Sequence, residues 1–308
     1  MRFSHILNVI AQDAGRLAAR LRSFGEVAWL AEGRAFDVGF DGDPAAVKNA
    51  ARAAAGDLAT ELKADINVVA TAGRRKKLLV SDMESTIVSC ECLDELAAIA
   101  GIGPKIAAIT ERAMRGEIAF EGALRERVAL LKGMPVAALE KVYKEKVLLI
   151  GGARELVATM KANGATTLLV SGGFTYFTSR VKDAAGFDGH QSNTLHDDGK
   201  VLTGTVGEPI LGREAKLDAL KRALTEREFA PAAAIAIGDG ANDLAMIKYA
   251  GENGGLGIAF HAKPLVAEAA EIAITHNDLK AVLYLQGYCE GEIVTPPPPK
   301  PAKPVYRL

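Results

Sequence analysis

Three short apolar runs each stop abruptly at residues that carry chemistry, and this repetition constrains the fold more than any other feature. Leu78–Val80 runs into Ser81-Asp82, Thr167–Val170 into Ser171-Gly172-Gly173, and Ala234–Ile237 into Gly238-Asp239-Gly240. Short apolar runs of this kind, separated by helical stretches, mark the buried strands of an α/β protein with a parallel sheet. In an open α/β sheet, ligands sit beyond the carboxyl ends of the strands, so these three endings are where a site is expected. Runs at 256–260 and 271–275 read as further strands.

The rest of the chain arranges itself around that core, which spans about 77–288. The stretch 89–150 is almost all helical and too long for a simple crossover, so it reads as an inserted helical cap. Residues 187–207 place Asp197-Asp198-Gly199-Lys200 between short extended runs, the pattern of a small hairpin flap. Residues 1–72 read as a separate α+β unit: a strand at 5–10, a helix at 13–24, strands at 26–31 and 34–40, an Ala-rich helix opened by Asp43-Pro44 over 44–62, and a strand at 66–70. That order, β-α-β-β-α-β, is ferredoxin-like and also underlies ACT-type regulatory domains. The basic run Arg74-Arg75-Lys76-Lys77 reads as a solvated hinge, and 289–308 as a proline-rich, extended tail.

Composition narrows the function classes. Lys and Arg total 37 against 38 Asp and Glu, a net charge of −1, so nothing electrostatic favours nucleic acid or an anionic membrane. Cys90, Cys92 and Cys289 are too few for a zinc set or a disulfide framework. No run approaches the roughly 20 apolar residues of a membrane helix, and the N-terminus lacks the regions of a signal peptide. A soluble, cytoplasmic protein is expected, with a homodimer left open.

The chemistry lies at the strand endings. Asp82-Met83-Glu84-Ser85-Thr86 places two carboxylates two residues apart, which suits covalent phosphoryl transfer: one attacks phosphorus, the other moves the proton. Alone, the pentamer reads more readily as a polar surface turn. Gly238–Asp243 is more specific, because its glycines let the backbone turn while Asp239 and Asp243 point at a common centre suited to Mg²⁺. Capping carboxylates on a helix are the other reading of the same residues, disfavoured by three acidic or amide side chains within five residues after an apolar strand. Ser171-Gly172-Gly173 offers a hydroxyl and backbone N–H groups where a helix begins. Lys216 suits charge compensation on a phosphate, although a lone helix lysine is usually solvated.

Taken together, Asp-x-acid-x-Thr, Ser-Gly-Gly, Lys and Gly-Asp-Gly-x-x-Asp, in that order over about 160 residues, resemble the motifs of the haloacid dehalogenase (HAD) superfamily. Cys90–Leu96, Thr110–Gly116, Leu124–Val128, Ser171–Thr175, Gly238–Asp243 and Ala262-Lys263-Pro264 resemble its phosphoserine phosphatase family in particular. The likeness implies a Rossmann-like parallel sheet with mobile caps. It also implies Asp82 as nucleophile and Glu84 as general acid and base, with Mg²⁺ held by Asp82, Asp239 and the backbone carbonyl of Glu84. Ser171, Gly172, Lys216 and Asn242 correspond to phosphate contacts, with Asp243 supporting from behind. Glu91 corresponds to the residue that receives the substrate ammonium, and Arg127 to the one that holds its carboxylate. The implied substrate is O-phospho-L-serine, and the implied role is the last step of serine biosynthesis.

Arg127 also has support from spacing. Phe120, Leu124, Val128 and Leu131 form one apolar stripe on a helix, and Arg127 falls within it while Arg125 points away. A charge on a buried face needs an anionic partner, either a cap glutamate or a substrate carboxylate. The departure from the family is Glu84, where Asp is usual. Phosphothreonine or phosphohomoserine are alternative substrates, and a catalytically impaired amino-acid-binding regulator is the alternative of another class.

Overall fold

The computed structural model describes residues 3–212 and 214–297. Most of the proline-rich tail, from 298 on, lies outside the described residues. The N-terminal unit is a four-stranded antiparallel sheet of β1 (His5–Ile10), β2 (Val27–Ala31), β3 (Ala35–Phe40) and β4 (Asp65–Ala70), in the order β2-β3-β1-β4. Its helices cover one face, where Leu7, Val9, Phe36 and Val38 pack against Leu17, Leu21 and Ala51. The helix opened by Pro44 is capped by Asp43, whose carboxylate accepts from the Ala45 N–H at 3.1 Å. It is shorter than its apolar pattern suggests. Gly56 adopts φ +53° and divides it into Pro44–Ala55 and Asp57–Glu61, because a left-handed residue cannot continue a right-handed helix.

The core is a six-stranded sheet of β5 (Leu78–Ser81), β6 (Thr166–Phe174), β7 (Gly189–Asn193), β10 (Ala234–Gly238), β11 (Leu256–Phe260) and β12 (Ile272–Ile274). The order is β12-β11-β10-β5-β6-β7, and every neighbouring pair is parallel. The strands whose endings carry the chemistry, β10, β5 and β6, are therefore adjacent at the centre. Helices Ala153–Ala162 and Thr175–Ala185 cover one face; Ala215–Glu226 and Leu244–Glu252 cover the other.

Helices Cys92–Ile99, Gly103–Met114, Phe120–Ala129 and Ala137–Glu145 form the inserted cap. The flap differs from its sequence pattern. Residues 189–193 pair with β6 as the edge of the main sheet, and only β8 (Leu195–Asp197) and β9 (Leu202–Val206) form the hairpin. A single extended run cannot reveal its partner, since pairing is a tertiary choice. The hairpin is bonded to the cap through backbone: Gly133 N–H donates to the Leu202 carbonyl at 2.8 Å, Leu202 N–H to Met134 at 2.8 Å, and Val136 N–H to Lys200 at 2.9 Å.

The basic run at 74–77 is only half solvated: Arg75 and Lys77 are exposed, but Arg74 and Lys76 turn inward. Arg74 donates to both carboxylate oxygens of Asp37 and, through Nε, to the Leu285 carbonyl at 2.7 Å. Lys76 is buried and donates to the carbonyls of Ala232 and Gly254, both at 2.9 Å. On β4, Asn67 exchanges two hydrogen bonds with Ala273 of β12, and Asp65 accepts from the backbone of Thr275, His276 and Asn277. The second face of the N-terminal sheet packs on the buried helix Ala281–Leu285. The two sheets are joined by a buried polar seam. No described helix is long and apolar enough to cross a membrane.

Candidate active site

The ends of β5, β6 and β10 meet beneath the cap around a cavity of about 400 Å³. Asp82 and Glu84 follow β5, Gly172 and Gly173 lie at the end of β6, and Asp239, Gly240 and Asn242 follow β10. Glu91, Phe120, Leu124 and Arg127 close it from the cap side. Ser171, Lys216 and Asp243 sit behind this lining, buried. All ten residues singled out from the sequence therefore converge on one place.

Lys216 organises the floor. Its ammonium lies 2.7 Å from Asp82 Oδ1 and 2.5 Å from Asp243 Oδ1, with the side chain almost wholly enclosed. Burial alone would discharge it, but the carboxylates of Asp243 and Asp82 outweigh that and hold the ammonium above its ordinary pKa. Burial and the nearby Asp243 carboxylate push Asp82 well above the usual range, with Lys216 pulling the other way. Asp239 is pushed up to about 6, by burial and then by Asp243.

Carboxylate oxygens of Asp82, Asp239 and Asp243 lie within 4.8 Å of one another. With Lys216 as the single ammonium among them, the group keeps two negative charges in excess when ionised, which a divalent cation would balance. The donor set is all oxygen, as hard cations require. Asp82 Oδ1 is occupied by Lys216 and by the Met83 N–H at 2.8 Å, while Oδ2 makes no hydrogen bond among the described residues. Asp243 is committed on both oxygens, to Lys216 and to the Gly240 N–H at 3.0 Å. Its place depends on Gly238, where an added Cβ would lie 2.3 Å from the Asp243 carboxyl carbon.

Glu84 bridges core and cap. Oε1 accepts from the Cys92 N–H at 2.7 Å, at the start of the first cap helix, and Oε2 stands 3.5 Å from the Ser171 hydroxyl. Burial, followed by the charge of Glu91, pushes its carboxyl up to about 7. Gly173 makes room for it, since a Cβ there would lie 2.8 Å from Oε2.

On the cap side, Leu124, Val128 and Leu131 are buried and Arg127 is half-buried beside them, while Arg125 faces outward to Glu208 at 2.7 Å. Arg127 has no carboxylate within ion-pair distance among the described residues. Its only hydrogen bond among the described residues runs from Nε to the Ala123 carbonyl at 3.3 Å. Burial lowers its pKa against the more distant charges of Asp94, Glu84 and Glu91. The glutamate partner that sequence left open for it is not there.

Sequence reasoning gave no role to Ser85, Asp94, Thr110 and Lys263, although each falls within a motif it singled out; all four line the cavity. Lys263 N–H donates to the Asp239 carbonyl at 3.1 Å. Its motif, Ala262-Lys263-Pro264, was noted in the sequence, and the structure puts Lys263 at the start of helix Pro264–Ala269.

A parallel core with the three motif-bearing strands side by side, beneath a helical insert, defines the class. The chain belongs to the haloacid dehalogenase-like hydrolase family, whose family models match residues 79–248 and 213–285. Among its relatives, phosphoserine phosphatase of Polaromonas is 46% identical over 68% of this chain and 89% of its own length. That of Archaeoglobus fulgidus is 44% identical over 68% of this chain, which spans only 59% of the relative's length. The solved structure of a probable phosphoserine phosphatase from Vibrio cholerae, unliganded, is similar over 94% of this chain and 88% of that one, with 31% identity and a TM-score of 0.75.

Proposed function

We propose that this protein is a Mg²⁺-dependent phosphatase that hydrolyses O-phospho-L-serine to L-serine and inorganic phosphate through an aspartyl-phosphate on Asp82, as the last step of serine biosynthesis. The observation that carries the reading is the unpaired, half-buried Arg127 in the same cavity as Glu91 and the Asp82–Lys216 pair. A guanidinium without a carboxylate, beside a carboxylate free to take an ammonium, matches the two charged groups of an amino acid. The names of the relatives support the same substrate.

In the first step, the unengaged Oδ2 of Asp82 attacks phosphorus and the bond to the seryl oxygen breaks. Lys216 keeps Asp82 oriented through Oδ1. Protonated Glu84 delivers its proton to the departing seryl oxygen. In the second step Glu84, now a carboxylate, takes a proton from water, which attacks the phosphorus of the aspartyl-phosphate and releases phosphate. The Gly172 N–H, with Ser171, Lys216 and Asn242, surrounds the phosphate, while the Gly173 N–H holds the Ser171 hydroxyl at 2.9 Å. Asp82, Asp239 and the Glu84 carbonyl would hold Mg²⁺, with Asp243 behind them, and the cation would supply charge neutralisation on the phosphate oxygens. The cap excludes water during the first step.

The test is phosphate release from a panel of O-phosphoserine, O-phosphothreonine, O-phosphohomoserine and sugar phosphates, with and without Mg²⁺. Metal-dependent release with a clear preference for phosphoserine is expected. Preference for phosphohomoserine or a sugar phosphate overturns the substrate, and release from none of them points to an amino-acid-binding regulator.

A further inference from the structure

The loop that carries Asp82 and Glu84 is stitched to the start of the cap by two side-chain hydrogen bonds of opposite donor–acceptor sense. Glu84 reaches the Cys92 N–H at 2.7 Å. Ser85 Oγ donates to Glu91 Oε1 at 2.8 Å, across six residues of chain. Ser85 does so from φ +54°, a left-handed conformation that non-glycine residues seldom adopt. Both Ser85 and Glu91 line the cavity.

We infer that Ser85 is a positioning residue that orients Glu91 and thereby sets the preference for substrates bearing an ammonium group; this rests on the phospho-amino-acid reading above. Glu91 caps the N-terminal end of helix Cys92–Ile99, yet its side chain makes no capping hydrogen bond to that helix. Ser85 is the sole hydrogen-bonding partner of that side chain among the described residues. The hydroxyl occupies Oε1 and leaves Oε2 for an ammonium, so the rotamer is chosen before substrate arrives. Without that bond, a glutamate at a cavity wall has three torsions to sample, and part of the binding energy goes into ordering it. The backbone at Ser85 directs the hydroxyl toward the cap, which accounts for a strained serine at a place where glycine would be easier.

The experiment compares two substrates, O-phospho-L-serine and its deamino analogue 3-(phosphonooxy)propanoate, in the full-length protein with Mg²⁺. The wild type should prefer phosphoserine in kcat/KM. Ser85→Ala should shrink that preference about tenfold, mainly through the KM of phosphoserine. Ser85→Gly should do the same, although it relieves the strained φ, which separates loss of the hydroxyl from a change in backbone. Variants with the undiminished wild-type preference overturn the role of Ser85. A drop in Ser85→Ala that Ser85→Gly restores assigns the effect to strain and overturns it as well. A wild type that does not distinguish the two substrates refutes instead the phospho-amino-acid reading. Circular dichroism and a melting curve confirm that each variant is folded.

Discussion

Replacing Lys216 with methionine removes the charge that two buried carboxylates share. Asp82 and Asp243 stand 2.7 and 2.5 Å from its ammonium, and both are nearly excluded from water. Breaking a buried ion pair by removing one partner costs about 3–5 kcal/mol, and two abandoned carboxylates place this case toward the upper end. A domain stable by about 5–15 kcal/mol survives that loss with a much lower urea midpoint. The deficit should depend on pH. Without Lys216, which pulls the other way, burial and the Asp243 charge leave the Asp82 carboxyl still further above its unfolded pKa. A raised carboxyl favours the folded state below its unfolded pKa and loses that benefit as pH rises through the folded value. The variant should therefore be closest to wild type near about pH 4 and furthest at about pH 8. Urea denaturation in EDTA at both pH values, with the slope m held constant, reads this directly. A deficit under about 1 kcal/mol at the higher pH, or one that does not change with pH, refutes the ion-pair argument.

Three further outcomes follow from the same contacts. Glu84→Gln should lower kcat by about 10²–10⁴, since an amide cannot move the proton; Glu84→Asp should also lose turnover, because the shorter arm gives up the Cys92 N–H, and a large gain in the Asp variant would contradict the acid–base role. Asp65→Ala strands the N–H groups of Thr275, His276 and Asn277 at the seam and should lower stability by about 3 kcal/mol, with unfolding still a single transition by fluorescence and circular dichroism; two separate transitions would show that the sheets are not joined as described. Burial, aided by Arg52, pushes Lys48 down to about 8, so its penalty is present below that pH and is relieved as pH rises toward its unfolded value; the stability gain between about pH 8 and pH 10 should be smaller in Lys48→Met, and identical slopes would contradict it.

The strand endings were legible in the sequence because a buried parallel strand must be apolar along its length and can turn polar only where it leaves the sheet. That is why Asp82, Ser171 and Asp239 could each be placed at the carboxyl end of a strand, whereas the adjacency of those strands is a tertiary pairing. Arg127 was legible for a related reason, as a charge in an apolar helical stripe. Tertiary choices were not legible. Four consecutive basic residues resemble a solvated hinge until Asp37 and the Leu285 carbonyl appear around Arg74, and the carbonyls of Ala232 and Gly254 around Lys76. The parallel pairing of 189–193 and the backbone bonds between hairpin and cap involve partners distant in sequence. Ser85 was hidden because a serine in a five-residue motif carries no mark of a left-handed φ.

The central claim is that Asp82 becomes covalently phosphorylated during turnover. Quenching the protein while it is hydrolysing phosphoserine, reducing it with borohydride and sequencing its peptides by mass spectrometry tests this at one residue. The account predicts homoserine in place of Asp82, formed by reduction of the acyl phosphate, and none without substrate. An unaltered Asp82 in a protein that is releasing phosphate at full rate would contradict it.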